Sequence, residues 1–404
     1  MTVDTHSGSR RPLWARAFRT LERAARGGAR DLCMRCVRTG VNPKWVGWRH
    51  VEAVPLTQSA SGYWTIHPPR REVNPLPGNF QRRDELPDDP YWWGYSMRDV
   101  PDRLSDETFA ATFRDATIAF HRDDQGQFYP GILSQAGHAI NLREIRFRPG
   151  HSEMLRRAKP ARRDRAVWLL ERVHENHSHW LTAHLPKFLL ARNLGLLEHV
   201  LLPERLKPAQ EASLRMLGID PDAFACFDET RPLLVSDLTL LGTDRFRPDL
   251  LRPVRDVMAP ALPPEERMRR IYISRARARF RKLLNEDEIW PILETRGFER
   301  IFMEDLDFAA QVDLMRRAEC LVAPHGAGLT NMMFCAEGTK IVEIASLGFP
   351  NPNFYALAAA MGLSYHLLPA EEHGNGRPLE RDLSVSPPQL ARVVDMIAPS
   401  RGGA

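Results

Sequence analysis

Cys320-Leu321-Val322-Ala323-Pro324-His325-Gly326-Ala327-Gly328-Leu329-Thr330-Asn331 is an apolar run that breaks into a glycine turn. Unbroken apolar residues suit a strand covered on both faces of a parallel sheet. Gly326 and Gly328 let the backbone approach a ligand closely, with Ala327 and Leu329 completing the turn. A helix is expected to start beside it, and such an N-terminus presents unpaired N–H groups that favour phosphate. Thr330 and Asn331 are expected at that helix start, as caps or as ligands. A tight strand-to-helix turn that holds nothing is the competing reading.

Outward from this loop the order of elements is strand, helix, strand, helix, strand, glycine loop, helix, strand. Tyr272-Ile273-Ser274-Arg275 ends one strand, and Asn285-Glu286-Asp287-Glu288 has the N-cap and acidic first turn of a helix. A strand runs from Gly297-Phe298 to Glu304, a helix starts over Phe308 to Gln311, and Ile341-Val342-Glu343-Ile344 is the final strand. Upstream stands Asn176-His177-Ser178-His179-Trp180-Leu181, followed by His184-Leu185-Pro186-Lys187-Phe188. This series resembles glycosyltransferase family 61, including its Asn-x-x-His-Trp-Leu element and the Leu-Pro after it. The resemblance covers roughly residues 115 to 370.

The resemblance implies an α/β, GT-B-like fold: two Rossmann-like domains facing a central cleft, here with an N-terminal extension. It implies an inverting, metal-independent transfer from a nucleotide sugar, a UDP-sugar being favoured, to a cell-surface polysaccharide or glycolipid. A non-catalytic sugar-nucleotide-binding or regulatory protein of the same fold is the alternative. No cofactor and no metal ion are expected. Asp305-Leu306-Asp307 is the nearest approach to an Asp-x-Asp metal element, and it falls in a strand-to-helix turn.

In open α/β sheets, ligand groups gather outside the carboxyl ends of strands, where these candidates fall. Arg275 and His325 would offset charge on a departing diphosphate; a surface ion pair is the other reading of Arg275. Glu343, on an otherwise buried strand, would contact ribose hydroxyls, or pair with Arg275 or cap the next helix. The backbone from Met303 to Leu306 would meet the base. His179 would take the acceptor proton, as a neutral imidazole can near pH 7; its rivals are carboxylates such as Asp228 and Asp237. With His174, His177, His179 and His184 clustered, at least two are expected to be structural. His174-Glu175-Asn176-His177 lacks the second zinc-binding His, because Ser178 stands at that place.

The chain has 404 residues, 43% of them hydrophobic, enough for two domains with ordinary cores. A pI near 9.1 raises the question of nucleic acid. Residues 1–30, however, carry seven Arg against Asp4 and Glu22, which equals the net charge of +5 for the whole chain. The basicity thus belongs to a tail, and a nucleic-acid face on the body has no support. Trp14, Phe18, Leu21 and Ala25 recur there at helical spacing, which suits an amphipathic helix on an anionic membrane surface or a helix packed on the body. Neither a secretory signal nor an apolar run of about 18 residues is present, so a cytoplasmic location is expected. Cys33 and Cys36 form half of a metal site that Cys226, Cys320 and Cys335 do not complete.

The expected organisation is a basic, loop-rich extension over residues 1–110, an acceptor-side α/β domain over 111–258, and a nucleotide-sugar domain over 269–404. Residues 55–95 read as a connection ending in the aromatic run Pro90-Tyr91-Trp92-Trp93-Gly94-Tyr95. Apolar segments alternating with helical ones imply a mainly parallel sheet in the first domain. Pro260, Pro263 and Pro264 mark the link between domains.

Overall fold

The computed structural model describes residues 51–90 and 93–399. The expected helix over residues 14–25, the Cys33/Cys36 pair, and Tyr91 and Trp92 lie outside the described residues. Two sheets organise the rest. The first comprises β1 (Ala53–Val54), β2 (Gly62–His67), β3 (Thr108–Arg122), β4 (Phe128–Leu133), β5 (Ala139–Ile140), β6 (Ala161–Trp168) and β7 (Leu233–Gly242). Their order is β1-β5-β4-β3-β7-β6, with β2 beside the start of β3.

This sheet corrects the expectation of a mainly parallel first domain. The long strand β3 is antiparallel to β2, β4 and β7, and β4 is antiparallel to β5. Only the β6–β7 and β1–β5 pairs are parallel. The physical reason is the connection after β3. Residues 123–127 are too few for the crossover a parallel neighbour needs, and Asp123 closes them into a hairpin by accepting from the Gln125 and Gln127 amides at 2.9 and 3.0 Å.

Residues 55–95 are also more than a connection. They supply β2 and one strand of a ribbon formed by Arg70–Val73 and Asp102–Ser105, then cross to the second sheet. There the Gly78 amide donates to Tyr365 O at 2.8 Å, and Asn79 exchanges hydrogen bonds with the Leu367 backbone at 2.7 and 3.1 Å. Trp93 Nε1 donates to Pro350 O at 3.0 Å and Tyr95 to Asn353 Oδ1 at 2.9 Å. The tail of the aromatic run therefore anchors this strap.

The first sheet is flanked by α1 (Pro149–Arg157), α2 (Leu185–Asn193), α3 (Pro208–Met216) and α4 (Pro248–Met258). In α4 the apolar residues Leu250, Leu251, Val254 and Met258 fall on one face and are buried, as helical spacing requires. After α4 the proline-rich link leads to β8 (Arg269–Ile273), followed by β9 (Phe298–Ile301), β10 (Ala318–Pro324), β11 (Lys340–Ser346), β12 (Ser364–His373) and β13 (Asp382–Ser384). This second sheet has the order β9-β8-β10-β11-β12-β13 and is parallel except at β12–β13.

Helices cover both faces of the second sheet, which is why its strands are apolar throughout. On one side α5 (Glu286–Glu294) and α8 (Pro387–Ile397) pack over Tyr272, Val322 and Val342. On the other, α6 (Phe308–Arg316), α7 (Asn353–Met361) and residues 327–334 press against α3 and α4. One hydrophobic core therefore runs from the first sheet through this helical layer into the second. No helix among the described residues is long and apolar enough to cross a membrane.

Candidate functional site

The chain lays β9 on one side of β8 and β10 on the other, so the strand order reverses between β8 and β10. A crevice opens outside the carboxyl ends of strands at such a reversal. Here it is a cavity of about 400 Å³, lined by Ser274 and Arg275 after β8, Met303 and Glu304 after β9, and Gly326 and Gly328 after β10.

The two glycines serve different purposes. Gly326 has an extended backbone, with φ 178°, that any residue could adopt. A Cβ there would lie 2.0 Å from Nη1 of Arg275, so the absence of a side chain is what admits the guanidinium. At Gly328 a Cβ would meet Met303 and Ile273 no closer than 3.4 Å, leaving that side open to the cavity.

The helix after the loop, Ala327–Phe334, is a 3₁₀ helix wedged between the two sheets. That position corrects the expectation for Thr330 and Asn331, both fully buried and neither lining the cavity. Asn331 Oδ1 instead accepts from His177 Nε2 at 2.9 Å, while its Nδ2 donates to Gln311 Oε1 at 2.9 Å. Gln311 in turn donates to the carbonyls of Met303 and Leu306. Those carbonyls fix each amide's orientation along the chain, so His177 carries its proton on Nε2.

Arg275 forms no ion pair with any described carboxylate. Its Nε and Nη2 donate to the carbonyls of Arg281 and Phe280 at 3.1 and 2.7 Å. Burial, with the neighbouring Arg281 adding to it, pulls its pKa down to about 10. The surface ion-pair reading fits Arg277 instead, which meets Asp305 at 2.6 Å. Asp307 accepts from the Ala310 amide at 2.8 Å as the N-cap of α6. Both carboxylates of Asp305-Leu306-Asp307 thus have structural partners.

Glu343 is fully buried beneath His325 and does not line the cavity, which corrects its expected contact to ribose. One oxygen accepts from His325 Nδ1, the other from the Tyr365 hydroxyl at 2.6 Å. With Nδ1 carrying the proton, His325 Nε2 is the lone-pair nitrogen and faces Asn351 Nδ2 at 3.3 Å. His325 looks into a separate small cavity, where Arg281, Ser346, Phe349 and Arg381 are its neighbours. Arg275 and His325 therefore sit on adjacent sites rather than in one.

In the histidine cluster, His177 is held by Asn331, and His184 and His174 have packing or hydrogen-bonding roles of their own. His184 is fully buried; its Nδ1 donates to His179 O at 2.9 Å and its Nε2 accepts from the Glu171 amide at 3.0 Å. His174 packs edge-on against Phe128. His179 follows the Asn176 N-cap, and after it a π-helical turn, Trp180–His184, leads into α2. Its imidazole has no hydrogen-bond partner among the described residues. Burial first, then the charges of Arg245 and Arg143 and the neighbouring His184, press its pKa down to about 2. Of its rivals, Asp228 is bonded to Thr230 on the first unit's surface and Asp237 lies 3.6 Å from Arg165. Neither lines the cavity of Arg275.

Sequence reasoning did not single out the ion cluster beneath His179. Lys187 and Glu171, both fully buried, meet at 2.5 Å, with Arg143 3.5 Å from the other Glu171 oxygen. Burial would raise the Glu171 pKa, but Lys187, Arg143 and His184 outweigh it and hold the carboxyl ionised. Removing one partner of such a pair costs about 3–5 kcal/mol. A lysine among the apolar residues of α2 was the available signal. Arg245 is held by Thr182 Oγ1 at 2.6 Å and Ser178 Oγ at 2.8 Å, with no carboxylate partner among the described residues.

Residues 177–342 match the family model described as Glycosyltransferase 61. The chain is 36% identical over 110 residues to the EGF domain-specific O-linked N-acetylglucosamine transferase of Drosophila melanogaster, covering 26% of this chain and 21% of that protein. It is 28% identical over 100 residues to a beta-1,2-xylosyltransferase of Arabidopsis thaliana, covering 22% and 19%. A third match, 36% over 128 residues, is to the beta-1,2-xylosyltransferase XAX1 of Oryza sativa subsp. japonica, covering 30% and 22%. The chain thus spans about a fifth of the length of the curated relatives it matches.

Proposed function

We propose, from the membership of residues 177–342 in the glycosyltransferase 61 family, that this protein is an inverting, metal-independent glycosyltransferase. Its donor is a nucleotide sugar, with a uridine nucleotide favoured, and its acceptor a cell-surface polysaccharide or glycolipid. The arrangement is of the GT-B kind, with the parallel sheet on the donor side and the mixed sheet on the acceptor side. One observation carries the reading: a guanidinium with no carboxylate partner, Arg275, lies against a side-chain-free backbone at the strand-order reversal of a parallel sheet. A partly buried cation that the protein gives carbonyl partners but no carboxylate is suited to a ligand's anion.

In this reading the nucleoside enters the cavity beside Met303 and Glu304 and the diphosphate lies over Gly326. Arg275 then offsets the charge that builds on the leaving diphosphate. His179 stands on the acceptor side, neutral and therefore able to accept a proton, though its low pKa makes it a weak base. The second reading is a protein that binds the sugar nucleotide without turning it over.

The test is a thermal-shift series with uridine, UMP, UDP, UDP-sugars and adenine nucleotides, because a ligand that binds the folded state raises the melting temperature. UDP and UDP-sugars are expected to give the largest shift. No shift with any nucleotide would overturn both readings. Release of UDP from a UDP-sugar in the presence of glycan acceptors, undiminished by a chelator, separates transfer from binding alone.

A further inference from the structure

Arg281 stands out by the number of unfavourable features gathered at one residue. Its backbone is left-handed, with φ 58°, a conformation that a long side chain adopts at a cost and that glycine or asparagine adopts readily. Its Nε is buried and has no hydrogen-bond partner. No described carboxylate lies within ion-pair distance of its guanidinium, and no described residue accepts a hydrogen bond from it. A buried donor left unsatisfied is penalised. A chain that folds for stability alone would have glycine or asparagine there.

The surroundings show what the arrangement is for. Arg281 lines the small cavity that also holds His325, Ala345 and Ser346, and His325 directly precedes Gly326 in the chain. The loop from Arg275 to Arg281 is closed by the Arg275 guanidinium itself, which donates to the carbonyls of Phe280 and Arg281. One arginine of this loop thus lies against Gly326 and the other shares the cavity of His325, the preceding residue. Arg381, the other cation there, is already paired with Glu372 at 2.5 Å. Both ring nitrogens of His325 already have protein partners, Nδ1 with Glu343 and Nε2 with Asn351.

Building on the proposed donor site, we infer that Arg281 is the second arm of a diphosphate clamp. Arg275 binds one phosphate group at Gly326, and Arg281 binds the next beside His325. Guanidinium groups suit this task because their fork of donors matches phosphate oxygens in pairs. The strained backbone of Arg281 aims the side chain across the loop, and the bound oxyanion supplies the partner that Nε lacks.

The test compares the wild-type protein with Arg281→Gly and Arg281→Lys, using calorimetric titration of uridine, UMP and UDP. Glycine relieves the backbone strain, so Arg281→Gly should melt at or above the wild-type temperature and the variant remains foldable. UDP affinity should fall by about tenfold to a hundredfold, the scale of a lost charge-assisted contact, while uridine affinity stays unchanged. Arg281→Lys should recover part of the loss. A folded Arg281→Gly variant that still prefers UDP over UMP as strongly as the wild type would overturn the clamp. So would a loss confined to donors bearing an acidic sugar, since it would assign the guanidinium to a sugar carboxylate. If the wild-type protein binds no nucleotide at all, it is the proposed function that fails, and the two failures are told apart by the wild-type titration.

Discussion

His177 Nε2 lies 2.9 Å from Asn331 Oδ1, and through this hydrogen bond the histidine-rich turn before α2 is joined to the 3₁₀ helix after the glycine loop. The two sequence elements that stand more than a hundred residues apart are in contact at the junction of the two sheets. Asn331 is fully buried there, with Gln311 on its other side. Its task is to hold one unit against the other.

Asn331→Ala should accordingly lower the melting temperature while leaving nucleotide affinity close to the wild-type value. The change strands the His177 donor and the Gln311 acceptor, at a cost of about 1–3 kcal/mol. A stable variant that has lost nucleotide binding would restore Asn331 as a ligand.

The two glycines predict opposite structural responses with the same functional outcome. Gly326→Ala places a methyl group 2.0 Å from Nη1 of Arg275, so the guanidinium has to leave its seat. In Gly328→Val the new Cβ makes ordinary contact with Met303 and Ile273, and the variant should fold while its methyl groups fill the cavity. Both should lose UDP binding, but only Gly326→Ala should alter the thermal melt of the free protein. Retained affinity in Gly328→Val would place the nucleotide elsewhere.

For His179 the expected outcome is a fall in turnover of about a hundredfold or more in His179→Ala, the usual scale for loss of a general base. Donor affinity should be intact. Because the imidazole's pKa lies near 2 in the free protein, kcat/KM should show no acid limb near pH 6.5 from this residue. A variant with full activity would remove His179 from the mechanism, and an acid limb abolished by the mutation would contradict its depressed basicity.

Acid should weaken the fold before carboxylates titrate. Burial, as the leading cause, holds His151 at about 4 and His184 at about 3, below the ordinary value of 6.5. The unfolded chain therefore binds these protons first, so the stability they contribute is present above about pH 6.5 and is lost as pH falls toward 4. Each group contributes a slope of up to about 1.4 kcal/mol per pH unit in that window. Urea midpoints measured between about pH 7.5 and 5 check this; a flat profile would count against neutral buried imidazoles.

The sequence by itself determined the second sheet and its crevice. Strands that are apolar along their whole length, separated by capped helices, leave few arrangements other than a parallel sheet with helices on both faces. The glycine turn after β10 therefore had to open beside Arg275 at the end of β8. These features are local in chemistry and regular in period, which is why they can be read from order alone.

Tertiary structure decided what each polar side chain faces. Thr330, Asn331 and Glu343 carry the right chemistry for ligands, yet the packing of the 3₁₀ helix between two helical layers buries the first two, and the Tyr365 hydroxyl and His325 occupy the third. The antiparallel course of β3 came from a short hairpin whose consequence appears only when strands pair. Arg281 was one arginine among many in the sequence. Its significance arises from a left-handed backbone and an unpartnered Nε. Burial and hydrogen-bond satisfaction depend on neighbours far away in the chain, and those are assigned when the two sheets close on one core.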